Sequence, residues 1–137
     1  MDTSHKLQIH ELLGRYAHGM DTEDLEQVGA CFADDASFTI RITNQDPIPP
    51  FEGKVAIMGL IKSAVESQTD VRRHVCSNVF FESESNDEAV VISYLTLFSV
   101  ENGNIKILTS GIYRDVVTLS NGKWCKQTSE LSLDLPY

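Results

Sequence analysis

The chain has 137 residues, a formal net charge of −9, 42% hydrophobic residues and 23% charged residues. That is enough for one domain, residues 1–137, around one core. It excludes a nucleic-acid binder, because a phosphate backbone demands a basic stripe and Arg72-Arg73 is the only adjacent basic pair.

Ile9, Leu12, Leu13, Tyr16, Ala17 and Met20 recur at helical spacing, so the chain opens on an amphipathic helix. Thr3 or Ser4 can cap it, and Gln8, Glu11, Arg15 and His18 fall on its wet side. Gly19 weakens the last turn. Thr22 can cap a second helix with Leu25, Val28 and Phe32 as its stripe, stopped by Asp34-Asp35. Ala36 to Ile42 alternates as a strand, and the proline-bearing segment from Thr43 to Phe51 reads as a loop, either a lid or a plain connection. A third helix follows Gly53, with Val55, Ala56, Ile57, Leu60, Ile61, Ala64 and Val65 on one face.

Val71 to Phe81 alternates again. With period 2, His74, Cys76, Asn78 and Phe80 share one face, and Arg73, Val75, Ser77, Val79 and Phe81 the other. A mixed polar and apolar face suits a pocket wall. Three further strands follow, Ala89–Val100, Ile105–Leu119 and Trp124–Leu133, with hairpin signals at Asn102-Gly103 and Asn121-Gly122. Helices early and strands late read as α+β with an antiparallel sheet. Cys31, Cys76 and Cys125 form neither a disulfide framework nor a zinc pattern, which suits reduced thiols in a cytoplasmic protein. No stretch is long enough to span a membrane. No metal-ligand spacing, phosphate loop or nucleophile elbow occurs, so no cofactor or metal is expected.

The segments Leu13-Gly14-Arg15-Tyr16-Ala17 with Asp21, Cys31-Phe32-Ala33-Asp34-Asp35-Ala36, Phe51-Glu52-Gly53, Arg73-His74 with Asn78, and Gly111-Ile112-Tyr113-Arg114-Asp115, together with Trp124, resemble a SnoaL-like domain of the NTF2-like superfamily. The likeness runs over nearly the whole chain. It implies a cone: a strongly curved, mainly antiparallel sheet wrapped by three helices. It is similar to the dehydratase-like branch, which includes scytalone dehydratase, bile acid 7α-dehydratases and lindane dehydrochlorinase. In that branch a histidine on the first strand after the third helix pairs with an aspartate just after the first helix, and His74 and Asp21 match those positions. A tyrosine or lysine often stands five residues before the aspartate, where this chain has Tyr16.

The resemblance implies that His74 is a general base and that Asp21 holds its other ring nitrogen, fixing the tautomer and stabilising the imidazolium. Tyr16 is either a proton donor to the cavity or a buried core tyrosine. Asn78 is a candidate substrate-orienting residue, and Tyr94, Tyr113 and Trp124 either line the cavity or fill the core. Related dehydratases often carry an arginine about five residues past the last-strand tryptophan. Ser129 stands there, and strand alternation puts Lys126 on the opposite face from it. Two functions are therefore open. One is a cofactor-independent lyase or isomerase acting on a small, largely apolar cyclic molecule. The other is a non-catalytic binding or assembly domain, like the β subunit of a ring-hydroxylating dioxygenase. Under either, the resemblance implies a homodimer or homotrimer packed through the outer sheet face, with no nucleic acid or membrane as partner.

Overall fold

A computed structural model describes residues 1–137. Helix α1, Thr3–Asp21, buries Ile9, Leu12, Leu13, Tyr16 and Ala17, the stripe its periodicity predicts. Its N-cap is Asp2 rather than Thr3 or Ser4: the Asp2 carboxylate accepts the His5 N–H at 2.9 Å. Gly19 does not end the helix. A Cβ there would lie 2.9 Å from Val28 Cγ2, so the glycine lets α2 cross close over the last turn of α1.

Helix α2, Leu25–Ala30, is shorter than the sequence suggests and is capped by Asp24, whose side chain accepts from Gln27 N. Thr22 instead closes α1, donating its hydroxyl to His18 O. Phe32 is buried as expected, but from a strand. The Cys31 carbonyl accepts the Lys126 N–H at 2.8 Å, so the last strand captures the chain and β1, Phe32–Ile42, begins at once. Local helical spacing here loses to a long-range ladder.

A two-residue strand β2, Phe51–Glu52, sits in what reads as loop and pairs with β1 through Ser37 and Phe38. Helix α3, Lys54–Glu66, buries Ile57, Ile61 and Val65, while Val55 is 89% exposed; the apolar stripe is narrower than the sequence suggests. The long strands β3 (Val71–Glu84), β4 (Glu88–Glu101), β5 (Asn104–Ser120) and β6 (Lys123–Leu133) complete one six-stranded sheet of order β2-β1-β6-β5-β4-β3. All neighbours are antiparallel except β1 and β6, which run parallel. Asn102-Gly103 and Asn121-Gly122 both hold positive φ, as tight hairpin turns between right-twisted strands require.

Register irregularities interrupt four of the five pairings, at Phe32/Ser37, Ser77/Phe80, Phe81/Ser83, Leu97/Phe98 and Val116/Val117. Each adds bend and local twist. The sheet curves around α1 and α3 without closing, and its concave face carries the core: Ala89, Val91, Leu95, Leu97, Tyr113, Val117, Leu131 and Leu133. This is the α+β cone the resemblance implies.

Gly111 sits on that concave face, opposite Leu133 and Leu95. A Cβ there would lie 2.6 Å from the Ser132 carbonyl oxygen and 3.2 Å from a Leu133 methyl. Because the nearest obstacle is backbone, relief requires β6 to move. Gly111→Ala is expected to cost about 1–3 kcal/mol, as overpacking does. Urea unfolding measures it as a lowered midpoint; an unchanged midpoint would mean that β6 shifts freely.

Candidate active site

Strand β3 lies at the edge of the sheet, so alternate N–H groups on its outer side have no strand to bond. At His74 that donor is taken by a side chain. Asp21, the last residue of α1, accepts the His74 backbone N–H at 2.9 Å through Oδ1 and 3.1 Å through Oδ2. Its Oδ1 also accepts the ring Nδ1–H at 2.6 Å. The carboxylate thus fixes both the backbone and the imidazole, and it sets the ring tautomer with the proton on Nδ1. Side-chain exposure is 9% for His74 and 12% for Asp21, so the pair is largely withdrawn from water. Nε2 has no partner in the chain, yet no side-chain nitrogen or oxygen is both sealed from solvent and unpartnered, so Nε2 remains reachable.

Tyr16 lies on α1 upstream of Asp21 and is 5% exposed. Its ring meets Phe32 and Tyr113 edge-on, with centroids 5.8 and 6.2 Å apart. Burial raises the Tyr16 phenol above the ordinary tyrosine range, with the negative charge of Asp115 adding to it, so the group is a neutral donor. Burial likewise raises Tyr113 on β5.

The remaining candidates disperse. Asn78 does not share the face of His74. It is exposed, at φ 55°, inside the irregularity between Ser77 and Phe80. The extra residue reverses the strand's parity, so Val79 and Phe81 pack on the core while Phe80 is 54% exposed. Tyr94 is 47% exposed on the convex face. Trp124 is buried, but its indole N–H donates to His5 Nδ1 at 2.8 Å beside the start of α1, the helix end opposite Asp21.

A buried ionic cluster is absent from the sequence reading. Lys126 Nζ lies 3.2 Å from Asp115 Oδ2, and Ser129 Oγ–H donates to Asp115 Oδ1 at 2.5 Å. The ammonium also rests 3.8 Å from the centre of the Tyr16 ring and 5.1 Å from that of Tyr113. All three polar residues are at most 2% exposed. Strand alternation puts Lys126 and Ser129 on opposite faces; the structure puts both inside. Val116 and Val117 pair with Thr128 and Lys126, leaving Gln127 as the extra residue. The signal was present: Trp124 and Leu131 are both core side chains in one strand, yet their numbers differ in parity, which demands a bulge between them.

Where β1 and β6 finish and β3 begins, a cleft of about 350 Å³ opens, lined by Ile40, Ile42, Ile48, Ala64, Ser67, Arg72, Leu133, Pro136 and Tyr137. Ile48 brings the proline-bearing segment to its rim. Arg72 precedes His74 by two residues on the same side of β3, so the cleft adjoins the pair without including it.

A curved NTF2-type cone with an aspartate-held histidine defines the class. The match to the SnoaL-like domain model over residues 2–128 places the chain in that family. Among solved structures, it is similar to a Nostoc punctiforme protein of unknown function with a cystatin-like fold, at 28% identity and TM-score 0.82 over 99% of this chain and 97% of that one. It shares its fold with the β subunit assigned to an aromatic-ring-hydroxylating dioxygenase of Novosphingobium aromaticivorans (19% identity, TM-score 0.83, 99% and 94% covered). It also shares it with a protein of the same organism assigned as a scytalone dehydratase (20%, 0.80, 96% and 85%). No curated protein matches the sequence. No helix is long and apolar enough to cross a membrane.

The buried tyrosines fix an alkaline limit. Tyr16 and Tyr113 titrate higher folded than unfolded, so their contribution is complete below the unfolded value of ~10 and is lost as pH rises from there towards the folded values. Stability is expected to fall above that pH by up to ~1.4 kcal/mol per pH unit for each tyrosine. Urea unfolding across the alkaline range reads this slope, and Tyr16→Phe should make it shallower; an equal slope in the variant would contradict the assignment.

Proposed function

We propose that the chain is a cofactor-independent lyase or isomerase in which His74 is the general base. The observation that supports this is the double hold of Asp21 on the His74 backbone and Nδ1, with Nε2 left unpartnered and reachable. Neutral imidazole accepts a proton at Nε2, and Asp21 stabilises the imidazolium through Nδ1–H. The acidic proton is carbon-bound, next to a carbonyl, on a small apolar cyclic molecule entering through the cleft beside Arg72. The electron pair left behind forms an enolate. It then either expels a hydroxyl, which takes a proton from the neutral phenol of Tyr16, or is reprotonated elsewhere with the double bond moved. Placement in a dry interior supplies much of the rate.

A second reading is a domain that binds or assembles without turnover. The filled interior favours it: Tyr16, Tyr113 and Lys126 are 5%, 3% and 2% exposed, respectively. Exchange of the α-protons of 2-tetralone in D2O, followed by NMR, separates the two. Catalysed exchange is expected, and His74→Gln should lower it by about 10²-fold or more. Wild-type protein without exchange above the buffer rate, or a His74→Gln variant as fast as wild type, would remove the enzymatic reading.

We further propose a homodimer or homotrimer joined through the convex face of the sheet. There Val71, Phe80, Tyr94, Ile105, Ile107 and Ile112 are 45–71% exposed on neighbouring strands. Exposed apolar side chains gathered on one face in this way suit an interface between copies. Light scattering at micromolar concentration is expected to give two or three times the chain mass, and Ile107→Lys to shift it towards one. A wild-type monomer would overturn the proposal.

A further inference from the structure

Arg72 has an arrangement that the dyad does not explain. Its Nε–H donates to Asp70 Oδ1 and Oδ2 at 3.2 and 3.4 Å. The Ser99 hydroxyl donates in turn to Asp70 Oδ2. Chiefly through that serine, and also through the Arg72 charge, the Asp70 carboxyl is held below its ordinary range. The guanidinium plane is therefore oriented from behind by an ionised, hydrogen-bonded carboxylate. The Tyr137 ring lies 5.4 Å from Arg72 Cζ. Neither Nη nitrogen donates a hydrogen bond within the chain, although the side chain is only 21% exposed. The walls around it, Ile40, Ile42, Ile48, Leu133 and Pro136, are apolar.

We propose that this cleft binds a small, flat, apolar carbonyl compound, and that the Nη groups of Arg72 hold its oxygen as the enolate forms. The proposal rests on the reading of His74 as the base. Two features select this ligand. First, Asp70 cancels the full charge of Arg72, so the pair suits one carbonyl oxygen that gains charge during reaction better than a ready-made polyanion; donors fixed beforehand are what such an oxygen needs. Second, residues two apart on a strand stand about 6.6 Å apart. That spacing on one face of β3 makes Arg72 and His74 neighbours, so one small O=C–C–H unit can present its oxygen to the first and its hydrogen to the second. Tyr137 and the isoleucines supply the flat apolar surfaces.

The test uses 4-nitrophenol, an aromatic oxyanion whose phenolate absorption reports its ionisation, on the full chain. Binding should increase the phenolate band at a pH where the free probe is half ionised. Arg72→Gln should weaken binding about tenfold, the size of one charge-assisted hydrogen bond. Arg72→Lys, which keeps the charge and the stem, should retain the band with severalfold weaker binding. Arg73→Gln, on the opposite face of β3, should change nothing. A wild type that does not bind the probe, or an Arg72→Gln variant of native melting temperature that binds it equally well, overturns the proposal. So does an Arg72→Lys variant as tight as wild type, or displacement of the probe by inorganic phosphate. If His74-dependent tetralone exchange is indifferent to Arg72, this inference fails and the dyad stands. If the probe needs Arg72 but no exchange occurs, the base assignment fails and the binding site stands.

Discussion

One carboxylate organises the working end of this molecule. Asp21 closes α1 and reaches the free edge of β3, where it satisfies a backbone donor that would otherwise have only water and holds the imidazole on the same residue. An edge strand is a liability because its donors are open to other chains. Here one of those donors anchors the helix. The same contact that docks α1 therefore also sets the ring's tautomer and direction. Losing Asp21 would loosen the helix end and free the histidine together, so stability and site geometry cannot be tuned apart at this point.

The second constraint is parity. A sheet that bends this far carries extra residues, and each extra residue exchanges inside for outside along its strand. At Asn78 the exchange removes a polar residue from the face of His74 and puts Val79 and Phe81 against the core. At Gln127 it brings a lysine inside next to a serine, where Asp115 can take both. Two charges in a dry interior are expensive unless each is well matched. The serine hydroxyl and the faces of Tyr16 and Tyr113 complete the match.

What could be read from the sequence follows from this. Helix α1, the hairpin turns and the pairing of His74 with Asp21 rest on short-range patterns or on motif order, and the chain carries both. The start of β1 was not legible, because the event that ends α2 is a bond to Lys126 almost a hundred residues away in the chain. The places of Asn78 and Lys126 depend on bulges, which strict alternation ignores. At Lys126 the opposite parity of Trp124 and Leu131 held the information, whereas Asn78 offered only a residue type that tolerates positive φ. Arg72 reads from sequence only as half of a basic pair, since nothing local announces that Asp70, Ser99 and Tyr137 converge on it.

The cone's polar interior is thus built twice on one plan: a carboxylate that accepts from a serine and faces a cation. Asp115 with Ser129 and Lys126 lies deep, with no exposed donor and aromatic rings over the ammonium. Asp70 with Ser99 and Arg72 lies at the open end. The difference is in the cation. A lysine presents one compact charge that a carboxylate and two ring faces can surround, while an arginine offers donors in more than one direction, so fixing Nε leaves the Nη pair without a partner in the chain. The deep cluster is consequently complete in itself and serves to hold β5, β6 and α1 in register. The outer cluster is complete only on its inner side. It stands next to His74, whose Nδ1 is held by Asp21 and whose Nε2 has no partner in the chain, and that adjacency gives the open end of the cone its chemical character.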